Sequence, residues 1–243
     1  MPISSNTLFH FTNKYENLIN ILENDFRPHY SLEDFNAIFP GQPVNYLKLA
    51  IPMVSFCDIP LSQTAEHLST YGCYGIGLTK EWGKRNGITP VLYTYPESLL
   101  AGFIRQMIEK TQRLKDQERE FLYDIFRFIK PYKGSLFRVD ATKEDVIFYN
   151  EREWRYIPIE HKLLLKEDDF LNESERKKFN EDISCQHSIP FMPDDIRYLI
   201  VSTEEEILTL ASDVEKLRSK FGGNQVKILT TRIIAAERIR EDF

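Results

Sequence analysis

The chain has 243 residues, 42% hydrophobic and 28% charged, with a formal charge of −6, enough apolar content for one substantial core and too much for a disordered chain. The absence of a surplus of clustered Lys and Arg excludes broad nonspecific binding to nucleic acid, because phosphate neutralisation requires one. No apolar stretch approaches the roughly 20 residues of a membrane span, and residues 1–13 lack a signal peptide's charged and apolar segments, so a cytoplasmic protein with no membrane contact is expected.

In chain order, Thr7 to Phe11 reads as a short strand. Asn13 with Glu16 has the reciprocal capping pattern that opens a helix, and Tyr15, Leu18, Ile19 and Leu22 share one face of it. Ser31 to Asn45, punctuated by Pro40, Gly41 and Pro43, suits a long irregular loop. Pro52 to Asp58 is an apolar run, Ser62 to Leu68 a short helix, and Tyr74 to Leu78 a strand whose glycines admit a neighbouring strand or a ligand. A strand over Pro90 to Tyr95 leads into a helical stripe of Leu99, Leu100, Phe103, Ile104, Met107 and Ile108, which resumes over Phe121 to Ile129 until Lys130-Pro131 ends it.

Ser135 to Val139 and Val146 to Ile159 read as an antiparallel hairpin, with turn composition over Asp140 to Asp145. Leu165 to Asp182 is helical and exposed in character. A strand over Arg197 to Val201, a capping box at Thr203 to Glu206, a helix ending at Gly222-Gly223, a strand over Val226 to Thr230 and a terminal helix complete the chain. The fold class is α+β: a mixed, mainly antiparallel sheet with flanking helices and a C-terminal β-α-β element. We expect a single domain over 1–243, with a helical insertion at 97–131 and the β-α-β-α part at 195–243.

The densest chemistry lies in Tyr149-Asn-Glu-Arg-Glu-Trp-Arg-Tyr156. In a strand, Glu151, Glu153 and Arg155 share one face and Arg152, Trp154 and Tyr156 the other. Two carboxylates that close perturb one another, and Arg155 beside them can orient one toward a sugar hydroxyl; an ion-paired, solvated strand face is the plainer reading. His10 and Thr12 would share a strand face and could bond a ligand, although a strand histidine is more often satisfied by backbone. Ser55 and Tyr71-Gly-Cys-Tyr74-Gly75 could line a flat ring, or form a core aromatic cluster with turn glycines. No metal is assigned, since His29, His67, His161 and His187 have no ligand spacing. Cys57, Cys73 and Cys185 read as reduced, buried thiols. The chain has no phosphate loop, no GxSxG elbow and no complete GxGxxG.

The ordered set Leu8-Phe-His-Phe-Thr12, Val54-Ser-Phe-Cys-Asp-Ile-Pro60, Tyr71-Gly-Cys-Tyr-Gly-Ile-Gly-Leu78 and Glu151-Arg-Glu-Trp-Arg-Tyr156 resembles the AbiGi abortive-infection family over most of the chain. That resemblance implies a role in phage defence, and the family naming implies the antitoxin of a two-component pair, with a cognate toxin as partner. More distantly, the element order is similar to ADP-ribosyltransferase folds, which implies NAD as a substrate and a macromolecular acceptor. By that likeness Glu153 is the catalytic carboxylate, Glu151 positions the acceptor, and His10 orients the ribose. Thr12, Ser55, Tyr71, Tyr74 and Arg155 complete the candidate NAD site.

Three readings follow: an ADP-ribosyltransferase, a noncatalytic antitoxin or sensor on a transferase-like scaffold, and RNA or nucleotide binding through Tyr71, Tyr74 and Arg155. The first requires His10, Tyr71 and Glu153 in one cleft.

Overall fold

The computed structural model describes residues 4–38, 48–111, 124–137, 142–158 and 165–242. Its elements in chain order are β1 (Thr7–Thr12), α1 (Tyr15–Asn24), β2 (His29–Asp34), β3 (Lys48–Cys57), α2 (Ala65–Tyr71), β4 (Tyr74–Thr79), α3 (Lys80–Arg85), β5 (Thr89–Pro90), β6 (Leu92–Thr94) and α4 (Leu99–Thr111). There follow β7 (Ile129–Pro131), β8 (Gly134–Phe137), β9 (Thr142–Val146), β10 (Glu153–Tyr156), β11 (Leu165–Lys166), α5 (Glu167–Leu171), α6 (Glu173–Gln186) and β12 (Ile196–Val201). The chain ends with α7 (Glu205–Lys216), α8 (Arg218–Phe221), α9 (Gly223–Thr230), β13 (Ile233–Ala235) and α10 (Ala236–Asp242). The class is the expected mixed α+β with a mainly antiparallel sheet. The chain divides into two compact units, one of Met1–Arg27, Ser55–Thr89 and Ser188–Phe243, the other of Pro28–Val54 and Pro90–His187.

In the first unit the strand order is β13-β12-β4-β1, with the end of β3 beside β1 through Phe9 and Cys57. Thr7 to Thr12 pair antiparallel with Thr79 to Tyr74. The β4 glycines exist for this pairing: a Cβ at Gly77 would come within 2.8 Å of the Phe9 ring, and one at Gly75 within 2.8 Å of the Phe11 ring. Side chains of the neighbouring strand therefore fill the space that the glycines open. Behind the sheet, Phe26, Phe56, Trp82 and Phe191 pack ring on ring, with Phe26 at 5.2–5.7 Å from the other three. Each such pair contributes about 0.5–1.5 kcal/mol beyond the area it buries.

β12 and β13 are parallel, Leu199 opposite Ile233, so the C-terminal β-α-β crossover is present. Its second strand is Ile233–Ala235; the expected strand at Val226 to Thr230 is instead the end of α9, where Val226 and Leu229 are buried three residues apart. The predicted cap of α1 is also not formed: the N-cap is Lys14, without a side-chain bond.

In the second unit β2 pairs antiparallel with β3 from His29 opposite Met53 to Asp34 opposite Lys48, so the first residues of the expected loop are a strand. Tyr30 and Leu32 alternate inward and pack with Ala50, Leu165 and Ile183. α6 starts where the Asn172 side chain accepts from the Ser174 and Glu175 amides, and its Asn180 accepts from the Tyr30 amide at 2.8 Å. A second core joins Phe35, Ile51 and Met53 to Ala101, Ile104, Phe126 and Ile129. Within α4 the expected stripe is only partly inward: Ile104 is buried, while Leu99 and Phe103 are exposed.

Residues 129–131 are a strand, β7, parallel to β6, and not a helix end. The hairpin is formed by β8 and β9, so its second strand occupies the segment expected to turn. The expected strand from Val146 is broken by a short 3-10 turn over Phe148–Glu151 and by Arg152 at φ 44°. None of the three cysteines is in a disulfide, but only Cys57 is buried; Cys185 is exposed.

Candidate functional site

Glu153 and Arg155 lie on the inward face of β10, as i and i+2 positions of a strand must. Glu151 reaches the same place from the preceding turn. The lysine that the sequence presents as a helix terminator completes the group: Lys130 Nζ donates to Glu151 Oε2 at 2.8 Å and to Glu153 Oε2 at 2.7 Å. Arg155 Nε donates to Glu153 Oε1 at 2.6 Å and Nη2 to Oε2 at 3.0 Å. The same guanidinium bridges to Glu33 on β2 at 3.0 Å, and Nη1 donates to the Arg127 carbonyl at 3.0 Å. The Tyr93 hydroxyl accepts from the Glu153 amide at 2.8 Å. All five charged side chains are buried, and Arg155 is 0% exposed.

Burial alone would raise the Glu153 carboxyl, but the Arg155 and Lys130 charges outweigh it and hold the group well below the usual carboxylate range. Burial likewise works against the charged forms of Lys130 and Arg155, and the carboxylates, Glu153 foremost, hold both above their ordinary values. Burial, and then the charge of Glu153, pushes the Tyr93 phenol up. The network is a set of mutually fixed charges, and Glu153 stays ionised through the physiological range.

The other candidate residues belong to the first unit. His10 Nδ1 donates to the Ser55 carbonyl at 2.8 Å, with its ring at 5.3 Å from Phe26 and 5.7 Å from Phe56. Thr12 Oγ1 accepts from Asn17 at 2.8 Å. Tyr71, the last residue of α2, lies at 5.7 Å from the His67 ring. Gly72 follows at φ 116°, a conformation that glycine adopts freely. Tyr74 donates to Glu206 at 2.9 Å, and burial together with that carboxylate pushes its phenol up to about 12. Thus Glu151, Glu153 and Arg155 come together in one unit, and His10 with Ser55 in the other. His161 lies outside the described residues, among which no group of His, Cys, Asp or Glu could hold a metal ion and no helix is long and apolar enough to cross a membrane.

Sequence reasoning missed Lys130, Glu33 and Tyr93. The one local signal is a lysine set between Phe128-Ile129 and Pro131, an apolar context that a solvated lysine does not need.

An α+β chain that folds two carboxylates and an arginine of one turn-and-strand segment inward onto their own counter-ions is the class these features define. The chain belongs to the AbiGi family: the model described as "Putative abortive phage resistance protein AbiGi, antitoxin" matches residues 24–202. It is also similar to the abortive phage resistance protein AbiGi of Lactococcus lactis subsp. cremoris, 29% identical over 241 residues that take in 82% of this chain and 96% of the relative. No solved structure matches it.

Proposed function

We propose that this chain is the noncatalytic antitoxin member of an abortive-infection pair and acts by binding and neutralising a partner toxin. The observation that carries this reading is the state of Glu153. A carboxylate that steadies a ribosyl cation must turn an oxygen toward its ligand, whereas both oxygens of Glu153 are engaged by Arg155 and Lys130 inside the unit. The family description, in naming an antitoxin, agrees. The test is co-expression with the product of the gene adjacent to its own. A complex and restored growth are expected; no complex and no neutralisation would remove the reading.

The alternative is transfer of ADP-ribose from NAD to a macromolecule. It is favoured by one feature, the two carboxylates of Glu151 and Glu153 held on a single ammonium. Purified wild type and Glu153→Gln, incubated with labelled NAD and a bacterial extract, separate the two: label transfer that depends on Glu153 would establish the enzyme in place of the binder.

A further inference from the structure

The segment that joins β9 to β10 is only partly used by the buried network. Asp145 at φ 61° and Arg152 at φ 44° are both left-handed without being glycine, and they bracket residues 146–151. Between them Phe148 and Glu151 point into the unit, while Ile147 and Tyr149 turn outward, each 41% exposed. The Tyr149 ring is stacked on that of Tyr132 at 5.5 Å and 25°, and meets Tyr93 edge-on at 5.3 Å. Tyr132 is itself 41% exposed. The Arg152 guanidinium lies over Tyr149, 5.2 Å from its centroid.

Strain held at both ends of an outward aromatic gathers where a surface recognises something, and the fold relieves neither position with glycine. The charges sharpen the point. Lys130, Arg155, Arg127 and Lys133 each have a carboxylate partner; among the described residues no carboxylate pairs with Arg152. A planar guanidinium preset on an aromatic face is suited to a carboxylate taken in two-pronged fashion. Tyrosine and arginine are also the residue types that concentrate binding energy in protein interfaces. The flanking strand β9 exposes Glu144 and Asp145, and the chain carries −6 overall, which disfavours a run of phosphates and favours a protein of mixed charge.

We propose that residues 146–152, with Tyr132, form the docking surface for the partner protein, whose carboxylate seats on Arg152. This rests on the antitoxin reading and assigns it a surface. Affinity for the purified adjacent-gene product, measured by calorimetry, is expected to fall about 30-fold or more in Tyr149→Ala and in Arg152→Glu, the loss that marks a hot-spot residue. Arg152→Gly separates recognition from folding: it removes the guanidinium and the backbone strain together, so its melting temperature should hold or rise while its affinity drops. Hydrogen exchange in the complex should slow across residues 146–152. A wild-type complex that all three variants form with unchanged affinity overturns this surface and leaves the antitoxin reading standing. No wild-type complex overturns both. Binding of mixed-sequence single-stranded RNA that Arg152→Glu abolishes, or self-association that Tyr149→Ala abolishes, would reassign the surface and overturn the proposal.

Discussion

Glu153 is held by opposing effects of unequal size, and its titration should expose them. A carboxyl whose folded value lies below its ordinary 4.5 binds fewer protons folded than unfolded between the two values. Its contribution is therefore complete above the ordinary value and is lost as pH falls through the depressed one. Replacing it by glutamine leaves Lys130 and Arg155 buried beside a neutral amide, a change that costs on the order of 3–5 kcal/mol near neutrality. Melting curves of wild type and Glu153→Gln should be widely separated above about pH 5 and converge as acid protonates the wild-type group. A gap that does not change with pH would mean that the carboxylate contributes shape and not charge.

At the scale of elements, α7 is fixed by carboxylates rather than by a hydroxyl cap. Glu206 Oε2 accepts from the Ser202 amide at 2.9 Å and the Thr203 amide at 3.4 Å, and its Oε1 accepts from Tyr74 on β4. Tyr15 on α1 donates to Asp213 at 2.7 Å. Glu206→Ala should cost about 1–2 kcal/mol in the unfolding free energy, as loss of a helix cap does, and Tyr74→Phe about 1 for a half-buried hydrogen bond. The Tyr74 contribution is present below the ordinary tyrosine range and fades as pH rises through about 12, which denaturant titrations of the pair at rising pH would follow. Half of the predicted capping box at Thr203 to Glu206 was thus legible, the acidic half.

Legibility elsewhere followed the range of the cause. Thr7–Thr12 and Tyr74–Thr79 were readable because local alternation and glycine spacing specify them. Val226 to Thr230 misled because a short β-branched run cannot be told from a buried helix turn by its own sequence. The β8–β9 hairpin was readable in kind, but β9, Thr-Lys-Glu-Asp-Val, is exposed on nearly all its residues and carries turn composition. Of the candidate site, the inward pairing of Glu153 and Arg155 was legible from strand period; Lys130 was not, since its partners lie 21 and 23 residues away.

For the whole molecule, the division into units does not follow the order of the chain. The second unit is complete once residue 187 is present, whereas the first also needs β12 and β13 from the last segment. A fragment of residues 1–187 should keep slow amide exchange in the second unit, its ion network included. In the first unit it should lose protection in β1 and β4, because β4 without β12 is an apolar open edge. Full protection of β1 and β4 in the fragment would sink this expectation. The same arrangement sets a schedule on the ribosome. At about 5–20 residues per second, the strands that close the first unit's sheet are made some seconds after the second unit is finished. Through that interval Leu8, Phe9 and Ile76 have no completed sheet to enter, so strands made before the second unit find their place after it.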